Sequence, residues 1–397
     1  MSPTPLKTAV NPRAEFPWSI PCDPEKVPAP LVPGFVSEEK RAELDALLRA
    51  MPPSRLLSNG MEYADVQNLR SMAEAGIDWV EAGSWLGERN LRLAHIALAG
   101  GHRITARSYF RWASACFRFA QNAITSDTQV KKDIYSRMMA AFSQAASLDD
   151  QPIEHWSTRY EDGRICGWLM RPAAPRISPL VIVLGGFDGW REEHHVSATA
   201  LVERGMSVLL VDAPGQGESR LFHHLFLTSE AHRAFSRIID VLSNDPKISG
   251  RFGIWGNSFG GCLAAQAAIA DKRLIACCVN GGASRPLEFP EKYPRLFNKV
   301  EAMIGTMGVD HAIAFLEAIE LSTSLGELRC PLLQLHSELD PVFSLANARR
   351  IHDLASSEDK TLLIWGDGDH CIYNHAAERN CAVADWFYER LHPLRGT

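Results

Sequence analysis

The sequence predicts an α/β protein: a doubly wound, mostly parallel sheet preceded by an all-helical lid. Three observations carry that prediction. Beyond residue 150, short apolar runs alternate with helical stretches, the order that strand-helix-strand crossovers produce. Before it, apolar residues recur at helical spacing. Within the second part, Gly256-Asn257-Ser258-Phe259-Gly260 joins an apolar run to a small-residue helical pattern at 262–268, which reads as strand, sharp turn, helix.

Composition narrows the class of function. The chain has 397 residues, enough for one large or two ordinary domains, with 46% hydrophobic and 22% charged residues, as in an ordinary globular protein. A formal net charge of -6 offers no basic footprint for nucleic acid or an anionic membrane, so a small molecule is the expected partner. The nine cysteines are scattered and odd in number, without C-x-x-C spacing. They point to a reduced, cytoplasmic chain with no disulfide framework and no metal or cofactor. No signal-like pattern opens the sequence, and no run of eighteen apolar residues occurs in it.

Residues 1–36 carry nine prolines, which sustain neither a helix nor a central strand, and read as an extended arm. The helical lid follows over 37–150. Ser37 is the expected cap of its first helix, with Leu44, Leu47, Leu48 and Met51 on one face. Further helices are expected at about 62–75, 85–99, 103–123 and 127–148, with Gly100-Gly101 breaking a helical hairpin. The helix with Tyr109, Phe110, Trp112, Phe117 and Phe119 is apolar around more than one face, which favours core packing over ligand contact.

From 151 to 397 the catalytic domain is expected. A hairpin at 153–160 and 164–170 turns at Glu161-Asp162-Gly163. Buried parallel strands follow at 179–184, 207–212, 252–255, 274–280, 331–336 and 361–365. The helical interval 285–328 interrupts the alternation and reads as a cap inserted over the site.

A serine hydroxyl is a weak nucleophile that needs a base, and the base needs an orienting acid. Ser258 lies on the glycine-flanked turn; Asp340 follows the 331–336 strand and His370 the next one, all at one edge of the sheet. Glu338 is the rival acid, and His336 and His375 are the rival bases. The glycine pair Gly185-Gly186 after the 179–184 strand lets the Phe187 N–H join that of Phe259 as an oxyanion hole. Gly186, Asp188, Trp190, Glu288 and Phe289 are candidate substrate contacts, with Tyr293 and Phe297 as further wall residues of an apolar pocket. Glu288 and Asp188 could also assist protonation. The loop from Asp212 to Glu218 reads as structural, and the pairs His194-His195 and His223-His224 as surface or site-lining positions rather than metal ligands.

The segments 184–190, 212–218, 256–261, 335–342 and Gly368-Asp369-His370-Cys371 resemble motifs of the α/β-hydrolases. The branch they resemble groups 2,6-dihydroxypseudooxynicotine hydrolase with the polyketide-shortening hydrolases of fungal pigment pathways and the FrsA-like esterases. The resemblance implies an α/β-hydrolase core behind a helical cap, often dimeric, so a homodimer is an expectation. Its best-known reaction is hydrolysis of a carbon–carbon bond next to a ketone on an aromatic or polyketide skeleton. A carboxylesterase, an acyltransferase and a non-catalytic binding protein on the same fold are the alternatives.

Overall fold

The computed structural model describes residues 31, 34, 36–174, 176–187 and 189–392. The expected proline-rich arm lies almost wholly outside them, and so does Asp188.

Six helices come first among the described residues: α1 (Glu38–Ala50), α2 (Pro53–Ser58), α3 (Tyr63–Glu74), α4 (Trp79–Ala99), α5 (Arg103–Asn122) and α6 (Gln129–Ser147). Ser37 does cap α1, its hydroxyl accepting from the Lys40 N–H at 3.2 Å, with Glu38 and Glu39 at the positive end of the helix dipole. Two expectations needed correction. Helix α4 begins six residues before the expected 85 because the Asp78 carboxylate accepts from the Val80 and Glu81 N–H groups at 2.8 and 3.1 Å. Helix α2 was not expected at all; it opens on Pro53, and a proline at the first helical position costs no hydrogen bond. In α5, Phe110, Phe117 and Phe119 are fully buried, as core packing requires.

The sheet contains β1 (Ile153–Tyr160), β2 (Gly163–Met170), β3 (Ser178–Leu184), β4 (Ser207–Asp212), β5 (Ile248–Asn257), β6 (Leu274–Asn280), β7 (Leu332–Ser337) and β8 (Lys360–Trp365). Their order is β1-β2-β4-β3-β5-β6-β7-β8; β1, β2 and β4 pair antiparallel and the remainder parallel. The continuous apolar runs are explained by burial on both faces. Leu180, Ile182 and Leu184 enter one core cluster while Val181 and Val183 enter the other, and β4 divides Leu209 and Val211 from Val208 and Leu210 in the same way.

Crossing helices cover the sheet: α7 (His195–Glu203), α8 (Gly217–Leu221), α9 (His232–Leu242), α10 (Phe259–Ala270), α11 (Glu288–Lys292), α12 (Phe297–Ile304), α13 (Val309–Ala318), α14 (Leu345–Leu354) and α15 (Ala376–Leu391). Three of these, α11 to α13, fill the interval 285–328, and Phe297, Val300, Met303, Ala312 and Leu316 join the apolar cluster that contains Phe187 and Phe259. The chain leaves β3 toward β4 on one side and returns to β5 on the other. The loops after β3 and β5 therefore diverge and open a crevice at the carboxyl edge.

The leading helices dock on this sheet through α6. Phe142 packs its ring 5.0 Å from that of Trp168, and the Tyr135 hydroxyl donates to Asp212 at 2.7 Å.

Candidate active site

Strand β5 runs directly into α10, and the residue between them, Ser258, has φ 57° and ψ -130°. A side chain other than glycine's is strained there, so the conformation persists only where its surroundings impose it. Close packing imposes it here: a Cβ on Gly256 would overlap the Gly260 carbonyl, and one on Gly260 would overlap that of Gly185. The Ser258 N–H donates to the Asn280 carbonyl at 2.8 Å, and the buried Asn280 amide donates to the Asn257 side chain at 2.9 Å and to the Cys371 carbonyl at 3.1 Å.

The loop after β7 brings in Asp340, and the turn after β8 brings in His370. His370 Nε2 lies 2.8 Å from Ser258 Oγ, and its Nδ1 lies 2.9 and 3.0 Å from the two Asp340 oxygens. Asp340 Oδ1 also accepts from the N–H groups of Val342 and Phe343 at 2.8 and 3.2 Å, which fixes the carboxylate plane. Burial disfavours the imidazolium, but the Asp340 carboxylate outweighs it and holds the His370 pKa well above the ordinary histidine value. Burial also raises the Asp340 pKa; the charge and hydrogen bond of His370 more than reverse that, leaving it below the usual carboxylate range. The rival bases have other nearest partners, although His336 Nε2 also lies 4.0 Å from Asp340 Oδ2. His375 pairs with Asp367 at 3.0 Å, and the buried His336 faces the Phe343 carbonyl at 3.1 Å.

Gly186 lies against Ser258; a Cβ there would come within 2.8 Å of the serine Cβ and 2.9 Å of the Phe259 nitrogen. The carbonyls of Gly185 and Gly186 accept from the buried Gln216 side chain at 2.7 and 3.0 Å, and Gln216 Oε1 accepts from the Ala213 N–H at 3.1 Å. In a trans peptide the C=O and the following N–H point in opposite directions. Turning the Gly186 carbonyl onto Gln216 therefore turns the Phe187 N–H away from it. The Phe187 and Phe259 rings stack at 4.3 Å, joining the two loops above their N–H groups. The 212–218 loop, read as structural, thus braces the loop after β3 through Gln216, a residue that reading did not single out.

The other sequence candidates divide. Phe289 belongs to an aromatic patch, with its ring centroid 6.2 Å from Phe187 and 5.9 Å from Phe343; the latter ring lies 6.3 Å from His370. Trp190 is buried against Tyr135 with a ring separation of 5.4 Å. Glu288 accepts from Lys292 at 2.7 Å, the Ser344 N–H at 3.0 Å and Asn347 at 2.5 Å, and shares no hydrogen bond with the Ser258-His370-Asp340 chain. Burial raises its pKa, yet these donors bring it below the usual value, so it is held as an anion. His194 is not a surface residue: it is buried, and burial pulls its pKa down to about 4.

Two hollows occur near these groups. One of about 10 Å³, room for a single water, is lined by Asn122, Thr125, Lys131, Phe187, Trp190, Arg220 and Lys299. In that wall the aromatic Phe187 and Trp190 stand beside the cationic Lys131, Arg220 and Lys299. The larger, about 520 Å³, is lined by Arg285, Glu288, Glu320, Ser344 and neighbours on α14, and by none of the three residues of the hydrogen-bonded chain. His155, Cys166 and Glu218 bring metal-ligand atoms within 4.8 Å of one another. Arg191, 2.6 Å from Glu218, already supplies a cation there, and burial pushes the Cys166 thiol up to about 12, so the cluster is better satisfied as an ion pair than by a metal.

A model of the alpha/beta hydrolase family matches residues 180–395. Among curated proteins, 2,6-dihydropseudooxynicotine hydrolase of Paenarthrobacter nicotinovorans is 27% identical over 344 residues, covering 85% of this chain and 91% of that protein. The alpha/beta hydrolase gkaG of Penicillium citrinum is 29% identical over 212 residues, about half of each chain: 50% of this one and 49% of the other. A crystal structure of 2,6-dihydroxy-pseudo-oxynicotine hydrolase superposes with a TM-score of 0.77 at 26% identity, covering 85% of this chain and 95% of that one.

Proposed function

Because the chain belongs to the alpha/beta hydrolase family, we propose that it is a serine hydrolase with Ser258 as nucleophile, His370 as base and Asp340 as orienting acid. One observation carries this reading: the unbroken hydrogen-bonded chain from Ser258 Oγ through both ring nitrogens of His370 to Asp340.

His370 Nε2 takes the Ser258 proton as Oγ bonds to a carbonyl carbon, and the electron pair of the C=O moves onto oxygen. The N–H groups of Phe187 and Phe259 receive that oxyanion, with the start of α10 adding its dipole. Gln216 supports the first donor by holding the peptide that carries it. The oxyanion then collapses, the bond from the carbonyl carbon to the leaving group breaks, and the imidazolium protonates the departing atom. Water attacks the acyl-enzyme, gives its proton to His370, and releases a carboxylic acid as Ser258 regains its hydrogen.

The preferred substrate is an aryl or polyketide-type ketone, whose carbon–carbon bond is cleaved; the leaving carbon must sit on a ring that can hold negative charge until it is protonated. The branch resemblance supports this choice, as does the 27% identity with 2,6-dihydropseudooxynicotine hydrolase over most of both chains. The aromatic patch of Phe187, Phe259, Phe289 and Phe343 beside His370 suits a planar ring. Ester cleavage uses the same steps with an alkoxide leaving group.

Purified protein assayed on an acylated phenol, a β-diketone and a nitrophenyl ester separates the two leaving groups. Ser258→Ala is expected to abolish turnover and fluorophosphonate labelling while leaving the fold intact. Residual turnover in that variant would remove Ser258 from the mechanism.

A further inference from the structure

The base is held from outside the sheet. We propose that Ser54, on helix α2 of the leading helical segment, is a positioning residue for His370, acting through Asp369. The Ser54 hydroxyl donates to Asp369 Oδ2 at 2.5 Å across a sequence separation of 315 residues. The other oxygen of that carboxylate caps the turn carrying the base, accepting from the Tyr373 N–H at 2.6 Å and the Asn374 N–H at 3.3 Å. One carboxylate thus joins the helical segment to the turn His370–His375.

The turn has reason to need such a tie. Cys371 and Ile372, directly after the base, have φ of 58° and 59°. Two successive residues with side chains in the left-handed region are unfavourable, the β-branched Ile372 most of all, and persist only under outside restraint. Several restraints hold it, and within the loop the Asn374 side chain accepts from the Asp369 N–H at 2.9 Å and donates to the Asp367 carbonyl at 2.8 Å. Arg379 and Asn280 donate to the Cys371 carbonyl at 2.7 and 3.1 Å from the core side, and Ser54 supplies the hold from the lid side.

The mount of Ser54 is itself stiff. Pro52 and Pro53 fix φ at the start of α2, placing the hydroxyl in the first helical turn. Its neighbour Arg55 lies 6.0 Å over the Tyr373 ring and 3.8 Å from Glu193. The titratable and charged groups facing the turn include Arg55 from the lid side, Glu193 from the segment after β3, His336 from β7 and Asp340 from the loop after it, Arg379 and Glu378 from α15, and Asp367, paired with His375, within the loop. Displacing α2 would free Asp369 Oδ2 and so loosen the carboxylate that caps the turn, and with it the alignment of His370 Nε2 on Ser258. The helical segment is in this sense part of the catalytic apparatus as well as a cover.

This inference rests on His370 being the base, and the test separates the two claims. In the full chain, Ser54→Ala and Ser54→Thr are compared with the unmodified protein on p-nitrophenyl acetate across pH. The low-field proton resonance of His370 Nδ1–H is followed in parallel by NMR, which reads the ring without turnover. Ser54→Ala is expected to lower kcat about tenfold, with KM changed less than about twofold, since a small misplacement of a catalytic group is felt mainly in the chemical step. The acid limb of the pH profile and the midpoint of the Nδ1 resonance should move together, and Ser54→Thr, which keeps the hydroxyl, should restore both. An unchanged kcat and resonance in Ser54→Ala, or a rise in KM alone, overturns the proposal. No ester or ketone turnover by the unmodified protein would instead overturn the hydrolase reading, and the Nδ1 resonance would still judge Ser54.

Discussion

The turn that carries Ser258 and the turn that carries His370 both hold side chains at positive φ, and they are held by opposite means. At Ser258 much of the restraint is local: Gly256 and Gly260, two residues either side, let strand and helix close on each other, with the Gly185 carbonyl against Gly260 and the Asn280 carbonyl on the Ser258 N–H as the distant contacts. At Cys371 and Ile372 the glycine that makes room is distant in sequence: a Cβ on Gly281, just after β6, would come 2.8 Å from the Cys371 sulfur and 3.1 Å from its nitrogen. The conformation depends on Ser54, Asn280 and Arg379, the first two far away in sequence and the third on the helix that follows. A nucleophile turn held mainly within five consecutive residues should feel distant changes less and fail at once when its glycines are altered. A base turn assembled from separate elements should weaken in steps, one anchor at a time.

That contrast can be attacked at several strengths. Gly260→Ala is expected to do most damage, because its Cβ would meet the Gly185 and Leu184 carbonyls, backbone that leads into the proposed oxyanion donor Phe187. A stability loss of about 3 kcal/mol by urea unfolding is expected, with kcat falling at least about 100-fold as the oxyanion donors are displaced. A well-folded, active Gly260→Ala would show that the nucleophile turn is not held by close approach.

Arg379→Met removes one anchor of the base turn while Asn280 and Ser54 remain. A loss of about 2 kcal/mol is expected for the charged hydrogen bond, with kcat lower by about tenfold. A collapse as complete as that of Gly260→Ala would erase the distinction between the two turns.

Cys371→Gly should change least. Relief of the left-handed backbone is worth about 1–2 kcal/mol, and loss of a buried thiomethyl group costs about the same. The midpoint of unfolding should correspond to a change within about 1 kcal/mol. A large stabilisation would mean that the sulfur, 3.5 Å from His370 Nε2, packs poorly in the native turn.

The legibility of the molecule follows the same division. The central strands were readable because strands buried on both faces leave continuous apolar runs, β1 and β2 because a turn joins them as a hairpin, and five of the six leading helices because their apolar faces repeat every three or four residues. Helix α2 was hidden by two prolines, which break a helix in its interior but begin one at its first position. The Ser258 turn, the loop after β7 and the turn after β8 could be placed from motif and order along the chain.

Gln216, Ser54 and the anchors of the base turn could not. Nothing in a Gly-Gln-Gly loop indicates whether its amide faces water or two backbone carbonyls, and Glu288 carries no mark of the three donors around it. The sequence alone determined the alternation of elements and the short-range turns, because periodicity and glycine content act within a few residues. Only the tertiary structure decided which distant polar groups meet, since a hydrogen bond across 315 residues depends on how whole helices dock on the sheet and leaves no local pattern.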